Sequence, residues 1–508
     1  MKKIHVNQLG YFADDVKKAV CETDAGAFEI IRTSDGAAVF SGKTGAAVHD
    51  AASAQDVRVA DFSEFSQQGE FFVSAGGQES YPFTIGADAY AGLNAALLDA
   101  FNYQKCGVAI DKGIWSHPPC HTSPAVIYGT KETRDVSGGW HDAGDYGRYI
   151  VPAAMAVADL LLAYDLCANP LQEILDVTWF EIEWMLKMQC EKTGGVYHKV
   201  SCASFNALDE APQNERGELI LCPISLTATA DFAATMALAS RFYPDKKAAL
   251  LAAAEHAWTW CEQNLDAPNF VNPEGVTTGQ YGDITAKDEI FWAACELFSA
   301  TGAEKYHDVI KQSEIYVGLG WANMGTYGIT AYLSLKSSAD AELSEKMKTR
   351  LRAVCEEIMQ KHASEPFGTS LGVTYRWGSS LDVANNAMSL LLYSKLVEEN
   401  AAYTNAAKEH IHYLLGRNPL SQSYVTGFGS LPAKDPHHRP SVAVGETFPG
   451  MVVGGPNPTT PRDVVLQTHC EGNPPSKFYV DHKESFASNE IAIYWNSSVY
   501  FLVAVLGM

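Results

Sequence analysis

From about residue 89 onward the apolar pattern of the chain becomes helical, and this change constrains the fold more than any other feature. Twelve long segments carry apolar residues at helical spacing with few interior prolines. Several are joined by very short connections, such as Tyr243-Pro244-Asp245 and Thr301-Gly302, which force neighbouring helices to be antiparallel. Helices in hairpins of this kind predict a closed toroid of six helix pairs. The predicted helices are 88–105, 147–167, 170–191, 223–242, 245–264, 286–301, 303–316, 323–337, 342–362, 379–399, 401–416 and 486–506.

Residues 1 to about 85 have a different pattern, with short β-rich runs separated by turn signals such as Ser34-Asp35-Gly36 and Gly76-Gly77. The runs are 4–6, 18–20, 28–31, 39–40, 57–59, 71–73 and 81–83. Many short strands in under a hundred residues predict a small β-sandwich. The sequence therefore predicts two domains, an all-β sandwich at 1–86 and an all-α domain at 87–508, with no catalytic constellation in the sandwich.

Long irregular segments interrupt the helical region at 107–146, 193–222, 265–285, 364–378 and 417–485. Structureless stretches of this length inside a compact domain are usually functional. Because the connections at one end of a helical toroid can converge on a single cleft, we expect the functional site to be built from these loops.

The segment 135–149 reads Asp-Val-Ser-Gly-Gly-Trp-His-Asp-Ala-Gly-Asp-Tyr-Gly-Arg-Tyr, which is the composition of a catalytic loop. Its glycines let the backbone take unusual conformations and let a ligand approach the carboxylates Asp135, Asp142 and Asp145 closely. Asp142 and Asp145 can point at one spot, and a third acid across a cleft would complete the groups that hydrolyse an acetal. A solvated acidic turn or a helix cap is the alternative. Trp140 favours the catalytic interpretation, because exposed turns seldom carry a Trp that neither packs nor binds.

His437 and Arg439 lie two positions apart in the longest of these loops. In an extended segment their side chains would project to the same side and donate several hydrogen bonds, which suits sugar hydroxyls or a carboxylate. A surface His-Arg cluster is the alternative. Trp377 is a candidate sugar platform, with ordinary core packing as its alternative.

Glu490 is predicted to lie in the first turn of the last helix, which is otherwise strongly apolar. A Glu in that position ordinarily stabilises the helix dipole. A carboxyl among aromatic side chains, here Phe486, Tyr494 and Trp495, can instead have its pKa raised and act as a general acid. The residues leave both interpretations open.

Two groups of potential metal ligands occur in the loops. The first is Cys106, Cys120, His121 and His141, in a Cys-x13-Cys-His-x19-His arrangement. The second is Asp283, Asp288 and Glu289. Two thiolates and two imidazoles are the usual closed ligand set of structural zinc, with core cysteines and incidental histidines as the alternative. The carboxylates could hold calcium, although an acidic first turn of the helix at 286–301 explains two of them equally well.

The composition argues against several kinds of partner. The net charge of −23 disfavours nucleic acid and anionic membrane surfaces, whereas a neutral polymer suits it. The N-terminus has two lysines but no apolar stretch after them, and no run approaches the length of a membrane span. Eleven scattered cysteines are typical of reduced thiols. We therefore expect a monomeric cytoplasmic protein, or a secreted one if a natural leader has been removed.

At these residues the chain resembles glycoside hydrolase family 9, the inverting cellulases, over nearly its whole length. The segment 135–149 is similar to the family's catalytic-base segment. The segment 423–439 is similar to its first signature, with Leu431 where a basic residue or Asn is usual. The pattern from Tyr479 through Asp481 and Glu490 to Ser497 fits its second signature. Three motifs in this order are highly specific.

The resemblance implies an (α/α)6 barrel preceded by an immunoglobulin-like domain. It also implies that Asp145 is the base acting on water, that Asp142 assists it and that Glu490 is the acid. The residues assigned to substrate binding are His437, Arg439, Asp481, Trp377, Tyr494 and Trp140. Members with the N-terminal module often carry a zinc ion, for which the cysteine-histidine group resembles the ligands, and the family's calcium site is similar around Asp288 and Glu289. Trp495 stands where many members have a Tyr close to the catalytic water.

The leading hypothesis is inverting hydrolysis of β-1,4 bonds in cellulose or another β-glucan by an endoglucanase. The nearest alternative is an exo-acting relative, namely a cellodextrinase, a β-glucosidase or an exo-β-glucosaminidase, and the loops at 193–222 and 265–285 would decide between them. A non-catalytic glycan-binding protein is disfavoured, because a pure binder gains nothing from a pair of like charges that costs stability. A zinc hydrolase is disfavoured because four protein ligands leave no open position for water.

Overall fold

The computed structural model describes residues 2–336 and 339–508. By its internal contacts the chain divides into two compact units. The first comprises Met1–Ala100, Cys355–Leu391 and Asn400–Met508, and the second comprises Phe101–Val354 and Leu392–Glu399. The first unit thus holds the β-rich start and the C-terminal region, and the second holds most of the helices that come earlier in the chain.

The first unit begins with two sheets that share one hydrophobic core. Their strands are β1 (Ile4–His5), β2 (Gly10–Tyr11), β3 (Lys18–Cys21), β4 (Ala27–Arg32), β5 (Ala38–Lys43), β6 (Val48–Asp50), β7 (Gln55–Asp61), β8 (Gly69–Ala75), β9 (Gln78–Glu79) and β10 (Phe83–Ile85). One sheet has the order β1-β3-β7-β6 and the other β2-β10-β8-β4-β5, with β9 paired to β8. In β8 the buried Phe71, Val73 and Ala75 alternate with more exposed residues, as expected for a strand with one face on a core. The predicted sandwich is therefore present.

The second unit contains α2 (Ile150–Leu166), α3 (Glu173–Met188), α4 (Leu226–Ala239), α5 (Lys247–Gln263), α6 (Lys287–Thr301), α7 (Glu304–Gln312) and α8 (Gly325–Leu333). Helices α2, α4, α6 and α8 pack against one another in succession. Helix α4 consists mostly of apolar or small residues and is buried along its whole length, Asp231 included, whereas α5 buries one stripe that includes Leu250, Ala254 and Trp258. Buried helices thus alternate along the chain with helices that have a solvent face, as expected for packed hairpins.

The predicted short connections are present because the sequence supplies helix caps. Gly302 ends α6 in the left-handed conformation with φ of +67°, which glycine adopts without strain, and α7 begins two residues later. Ser225 caps the start of α4, where its hydroxyl accepts a hydrogen bond from the amide of Ala228 at 3.2 Å.

A sheet of short strands lies largely in loops that the sequence predicted to be irregular, and its strand at 148–149 replaces the predicted start of the helix 147–167. Its strands are β11 (Ala125–Ile127), β12 (Thr133–Arg134), β13 (Arg148–Tyr149), β14 (Lys199–Ser201) and β15 (Ile220–Leu221), in the order β12-β11-β15-β14-β13. Because β13 directly follows the segment that contains Asp142 and Asp145, this sheet connects that segment to those around residues 200 and 220.

The remaining helices are α1 (Leu93–Tyr103), α9 (Ala341–Ser364), α10 (Ser379–Leu396), α11 (Ala401–Leu414), α12 (Arg439–Val444), α13 (Val464–Cys470), α14 (Phe486–Asn489) and α15 (Ile493–Leu506). Helices α12 and α13 occur inside the predicted loop 417–485. The predicted helix 486–506 is interrupted, because residues 490 and 491 between α14 and α15 are extended and form bridges with His437 and Val453. The last residue of the predicted helix 323–337 lies outside the described residues, and the domain boundary after residue 86 stays a prediction.

Candidate active site

The base loop, residues 140–147, is held by hydrogen bonds to Gln104, which follows α1. The backbone oxygen of Gln104 accepts from the amide of His141 at 2.8 Å, and its side chain donates to the carbonyls of His141 and Ala143, both at 3.0 Å. The amide of Asp142 donates to the carbonyl of Gly147 at 2.9 Å. The backbone that carries both aspartates is therefore fixed before any ligand arrives, which favours catalysis.

Close packing behind the loop explains the glycines that precede it. Gly139 has φ of +77°, and a Cβ there would lie 2.6 Å from the ring of Trp184. The ring of Trp140 is 1% exposed and packs against Phe101 at a centroid distance of 4.9 Å, while its amide donates to Oε2 of Glu181 at 2.6 Å. Trp140 thus packs inside the protein, and its contact with substrate stays a prediction.

The two aspartates of the base loop have different surroundings. Asp142 is buried, and its Oδ2 accepts a hydrogen bond from the hydroxyl of Tyr281 at 2.5 Å. Burial raises the pKa of Asp142 well above its usual range, the bond from Tyr281 opposes this, and the charge of Asp145 adds to it. Oδ2 of Asp145 accepts from the amide of Gly147 at 3.0 Å. The loop thus favours the neutral form of Asp142 and gives Asp145 a donor suited to its anion.

Sequence reasoning did not find Tyr281. It lies in the segment 265–285, which the sequence marked as a functional loop, but a single tyrosine matches no motif there. Its φ of +47° is uncommon for a residue with a large side chain. The hydrogen bond to Asp142 is visible only in the structure, and together with this backbone conformation it makes Tyr281 a candidate site residue.

Glu490 lies in the first unit, at the end of α14 rather than in the first turn of the last helix. Its backbone is extended, with φ of −70° and ψ of 157°. The amide of Gly454 donates to the carbonyl of Glu490 at 2.9 Å, and the amide of His437 donates to the carbonyl of Asn489 at 2.8 Å. Backbone hydrogen bonds from two other segments therefore fix the backbone from which the side chain of Glu490 extends. Because this backbone is extended rather than helical, the helix-dipole interpretation does not apply.

Asp481 and Asn489 link the second signature to the segment that contains His437. The carboxylate of Asp481 accepts hydrogen bonds from the amides of Lys434 and Asp435, at 2.8 and 3.0 Å, and from the side chain of Asn489 at 3.0 Å. These bonds occupy both oxygens of Asp481, so the residue holds the 434–437 segment. Its predicted contact with substrate stays a prediction.

His437 is neutral in this setting. Burial, together with the nearby charge of Arg439, lowers the pKa of His437 to about 4, and its Nδ1 donates to the carbonyl of Lys483 at 2.7 Å. The other ring nitrogen is therefore the one available for a ligand. Arg439 is buried two residues later at the start of α12, so a permanent cation lies beside a neutral imidazole.

Aromatic side chains of the first unit cluster around Phe486. Trp377 is 36% exposed and lies 5.4 Å from the ring of Phe486, and the guanidinium of Arg462 lies over both rings, at 5.6 and 5.7 Å. The ring of His437 lies 6.2 Å from Phe486. Trp377 is thus partly exposed beside these groups, and its role as a sugar platform stays a prediction. Arg462 is an addition that the sequence did not suggest. Tyr494, the other predicted aromatic, is nearly buried beside Trp495.

The first group of potential metal ligands comes together in the second unit. Its members are Cys106, Cys120, His121 and His141, and their ligand atoms all lie within 4.8 Å of one another. The sulfurs of Cys106 and Cys120 are 4.0 Å apart, and Sγ of Cys120 lies 3.7 Å from Nε2 of His141. Two sulfurs and two imidazole nitrogens at this separation fit one tetrahedral metal ion.

Glu215 orients one of these ligands. Nε2 of His121 lies 2.8 Å from Oε2 of Glu215, and both side chains are nearly buried. This bond leaves Nδ1 of His121 for the metal, in the arrangement that commonly fixes a metal-bound histidine. Sequence reasoning missed Glu215, because the residue lies 94 positions from His121 and has no motif spacing.

The second group of potential ligands contains Asp283, Asp288 and Glu289, and the structure adds Asp231 from α4. Among the described residues no donor contacts either oxygen of Asp231 or of Glu289. Burial raises the pKa of both carboxyls well above the usual range, and the neighbouring carboxylates raise it further. Buried carboxyls without donors must be protonated or neutralised by a cation. This donor set of oxygens fits a hard cation.

Comparison with known proteins identifies the family of the chain. The sequence model described as "Glycosyl hydrolase family 9" matches residues 90–503, and that described as "Cellulase N-terminal ig-like domain" matches residues 1–80. The chain belongs to glycoside hydrolase family 9. This glycoside hydrolase therefore has the predicted fold class, an immunoglobulin-like sandwich followed by the helical barrel of the family.

The similarity to individual proteins of family 9 extends over the whole chain. A cellodextrinase of Butyrivibrio fibrisolvens is 35% identical, with 99% of each chain covered. The structure of AaCel9A in complex with cellobiose-like isofagomine is 37% identical, with a TM-score of 0.94 and complete coverage of both chains. A zinc-binding triple mutant of the family 9 endoglucanase J30 is 30% identical, with a TM-score of 0.92 and coverage of 98% and 99%. No helix in the described part of the chain is long and apolar enough to cross a membrane.

Proposed function

We propose that this glycoside hydrolase cleaves β-1,4-glucosidic bonds of cellulose or a related β-glucan with inversion. The observation that carries the proposal is the base loop, whose backbone is held by hydrogen bonds. In this loop the buried Asp142, which accepts a hydrogen bond from Tyr281, lies three positions before Asp145. Asp145 takes the proton of the attacking water, Asp142 assists, and Glu490 protonates the departing oxygen. Such a mechanism needs the base and acid carboxyl groups about 6.5–9.5 Å apart, so that water fits beside the anomeric carbon.

The stereochemical outcome tests this mechanism. Proton NMR of the first product released from a β-linked cello-oligosaccharide should show the α-anomer, because water attacks the face opposite to the leaving group. The β-anomer would mean retention and would contradict the role of Asp145.

We propose endo action on glucan chains as the main activity. The resemblance to family 9 cellulases and the similarity to endoglucanase J30 support it. The similarity to a cellodextrinase supports the exo-acting alternative. A product profile on carboxymethyl-cellulose, mixed-linkage glucan and chito-oligomers separates the two. An early fall in viscosity with mixed oligomers indicates endo action, whereas release of one small product from chain ends indicates exo action.

We propose that the cysteine-histidine group binds a structural zinc ion. Two thiolates and two imidazoles suit zinc, and a closed set of four protein ligands leaves no position for water. When bound, the ion crosslinks the loops that carry Cys106, Cys120 and His141. Since Asp142 follows His141 directly, the site would stabilise the backbone that aims both aspartates. For the second group of potential ligands, Asp231, Asp283, Asp288 and Glu289, we propose calcium, which takes oxygen ligands.

We further propose that the protein acts as a monomer in the cytoplasm. All eleven cysteines, which lie among the described residues, are free thiols, and this supports a reducing compartment. Light scattering after size exclusion should give a mass near 55.2 kDa. A disulfide-linked or dimeric species in freshly isolated protein would contradict these proposals.

A further inference from the structure

Strand β14 places a buried lysine beside the strand that follows the base loop. The strand pairs antiparallel with β13, and Lys199 lies opposite Tyr149. The ammonium of Lys199 donates to Oγ1 of Thr278 at 2.9 Å and to the carbonyl of Gly279, and it lies over the ring of Tyr149 at 5.3 Å. A buried ammonium is costly unless its hydrogen bonds are made, so these bonds tie Lys199 to the segment 278–279.

The preceding residue holds the next part of the same segment. Nε2 of His198 donates to the carbonyl of Gln280 at 2.9 Å, and its Nδ1 lies 2.8 Å from the hydroxyl of Ser225. The imidazole stacks on Phe270 with a centroid distance of 3.6 Å. Burial lowers the pKa of His198 to about 3, so the ring is neutral and donates only through Nε2. The side chains of His198 and of Lys199, the first residue of β14, therefore fix residues 278–280.

The fixed segment leads directly to Tyr281, whose φ of +47° lies in the left-handed region. A large residue keeps such a conformation only when its surroundings determine it. The ring of Tyr281 packs edge-on against Tyr149 at 4.9 Å and against Trp321 at 5.2 Å. Its hydroxyl donates to Oδ2 of Asp142 at 2.5 Å. The unusual backbone conformation is what directs this hydroxyl at the carboxyl.

We propose that Lys199 is a positioning residue for the hydrolysis, which fixes the backbone of residues 278–279 and thereby aims the hydroxyl of Tyr281 at Asp142. The inference rests on the roles proposed for Asp142 and Asp145. Lys199 itself need not contact the substrate, because its effect passes through Tyr281. Burial lowers the pKa of Lys199 to about 8, and the negative charge of Asp145 opposes that lowering. The ammonium that makes these bonds is thus retained at neutral pH.

A double-mutant cycle tests the proposal. Lys199→Met keeps the length of the side chain but cannot hold Thr278 and Gly279, and Tyr281→Phe removes the hydroxyl that reaches Asp142. Each change should lower kcat on cellotetraose by about 10–100-fold, the range expected for a slightly misplaced group, with less than about a threefold change in KM. The double variant should be no slower than the slower single variant, because both changes remove the same contact. The affinity of Lys199→Met for a cellobiose-like inhibitor, measured by calorimetry, should stay within about threefold of the wild type.

Lys17→Met is the matched control. Lys17 is also buried, and its ammonium also holds a loop, by donating to the carbonyls of Ala13 and Asp15, both at 2.8 Å. This control should lower the melting temperature and leave kcat unchanged. Wild-type kcat in Lys199→Met, or rate losses that multiply in the double variant, would overturn the proposal. If Lys199→Met does not fold, Thr278→Val removes one acceptor of the ammonium, and its effect on kcat should likewise vanish in a Tyr281→Phe background.

The proposed function can fail separately. Retention at the anomeric carbon, or an active Asp145→Asn variant, would contradict the function itself. The enzyme could instead invert and need Asp145, while the losses of kcat in Lys199→Met and Tyr281→Phe multiply in the double variant. That result would contradict only the role assigned to Lys199.

Discussion

Oε2 of Glu215 lies 2.8 Å from Nε2 of His121, so the nitrogen that His121 can offer to a metal is Nδ1. A ligand oriented in this way binds a metal more tightly, because the ring does not have to be ordered when the ion arrives. Because His121 and His141 belong to the same group of potential ligands, a bound ion would link the loop that contains Glu215 to the base loop.

Replacement of Glu215 should weaken the metal site. Glu215→Ala should lower zinc affinity by about 10–100-fold, the usual cost of losing an outer partner of a ligand, as measured by competition with a chromogenic chelator. Glu218→Ala, an exposed change in the same loop, is the control and should leave the affinity unchanged. Equal affinities in the two variants would show that Glu215 does not orient His121.

Removal of zinc should act on stability before it acts on chemistry. With four protein ligands no water is activated by the ion, so chelation should lower the melting temperature, and activity should fall only as the base loop loosens. Calorimetry and assays at several temperatures, with and without added zinc, measure both effects. Complete loss of turnover with an unchanged melting temperature would mean that the ion takes part in the reaction.

The carboxylates around Asp231 should make stability depend on both calcium and pH. Their pKa values are raised in the calcium-free protein, so the stability they contribute is present below the ordinary carboxyl pKa of about 4 and is lost as the pH rises toward the folded values. In a calcium chelator, Asp231→Asn should therefore melt above the wild type, by a margin that grows with pH. With calcium the order should reverse. Identical melting curves of the wild type with calcium and with chelator would contradict a cation site.

Loss of the acid or the base should strongly reduce turnover. Asp145→Asn and Glu490→Gln should each lower kcat by about 10²–10⁴-fold, the usual contribution of acid and base catalysis, while Asp142→Asn should cause a smaller loss. Glu490→Gln should still bind oligosaccharide, because the change removes a proton and hardly alters shape. The variants should also flatten opposite limbs of a bell-shaped pH profile in kcat/KM. Substantial activity in Asp145→Asn would assign the base to another residue.

The sequence predicted local features well where a short stretch carries its own signal. Ser225 begins α4 and Gly302 ends α6 through a bond and a conformation that depend on their neighbours in the chain, so these helix boundaries were predictable to within a few residues. The cysteine-histidine group was recognisable from residue types alone, and the structure brings its four members together. The start of the last helix was predicted wrongly, because residues 490 and 491 pair with His437 and Val453, which lie far away in sequence.

By itself the sequence determined the β-rich start, the long helices that follow it, the two candidate metal groups and the motifs that contain Asp145 and Glu490, since each depends on periodicity or on residue types and short spacings in the chain. Only the tertiary structure decided which remote side chains complete those motifs. Tyr281 reaches Asp142 across 139 positions, and Glu215 reaches His121 across 94. No spacing rule predicts such pairs, because they form when packed loops bring the groups within hydrogen-bond distance. The left-handed backbone conformation of Tyr281 is tolerated only inside that packing.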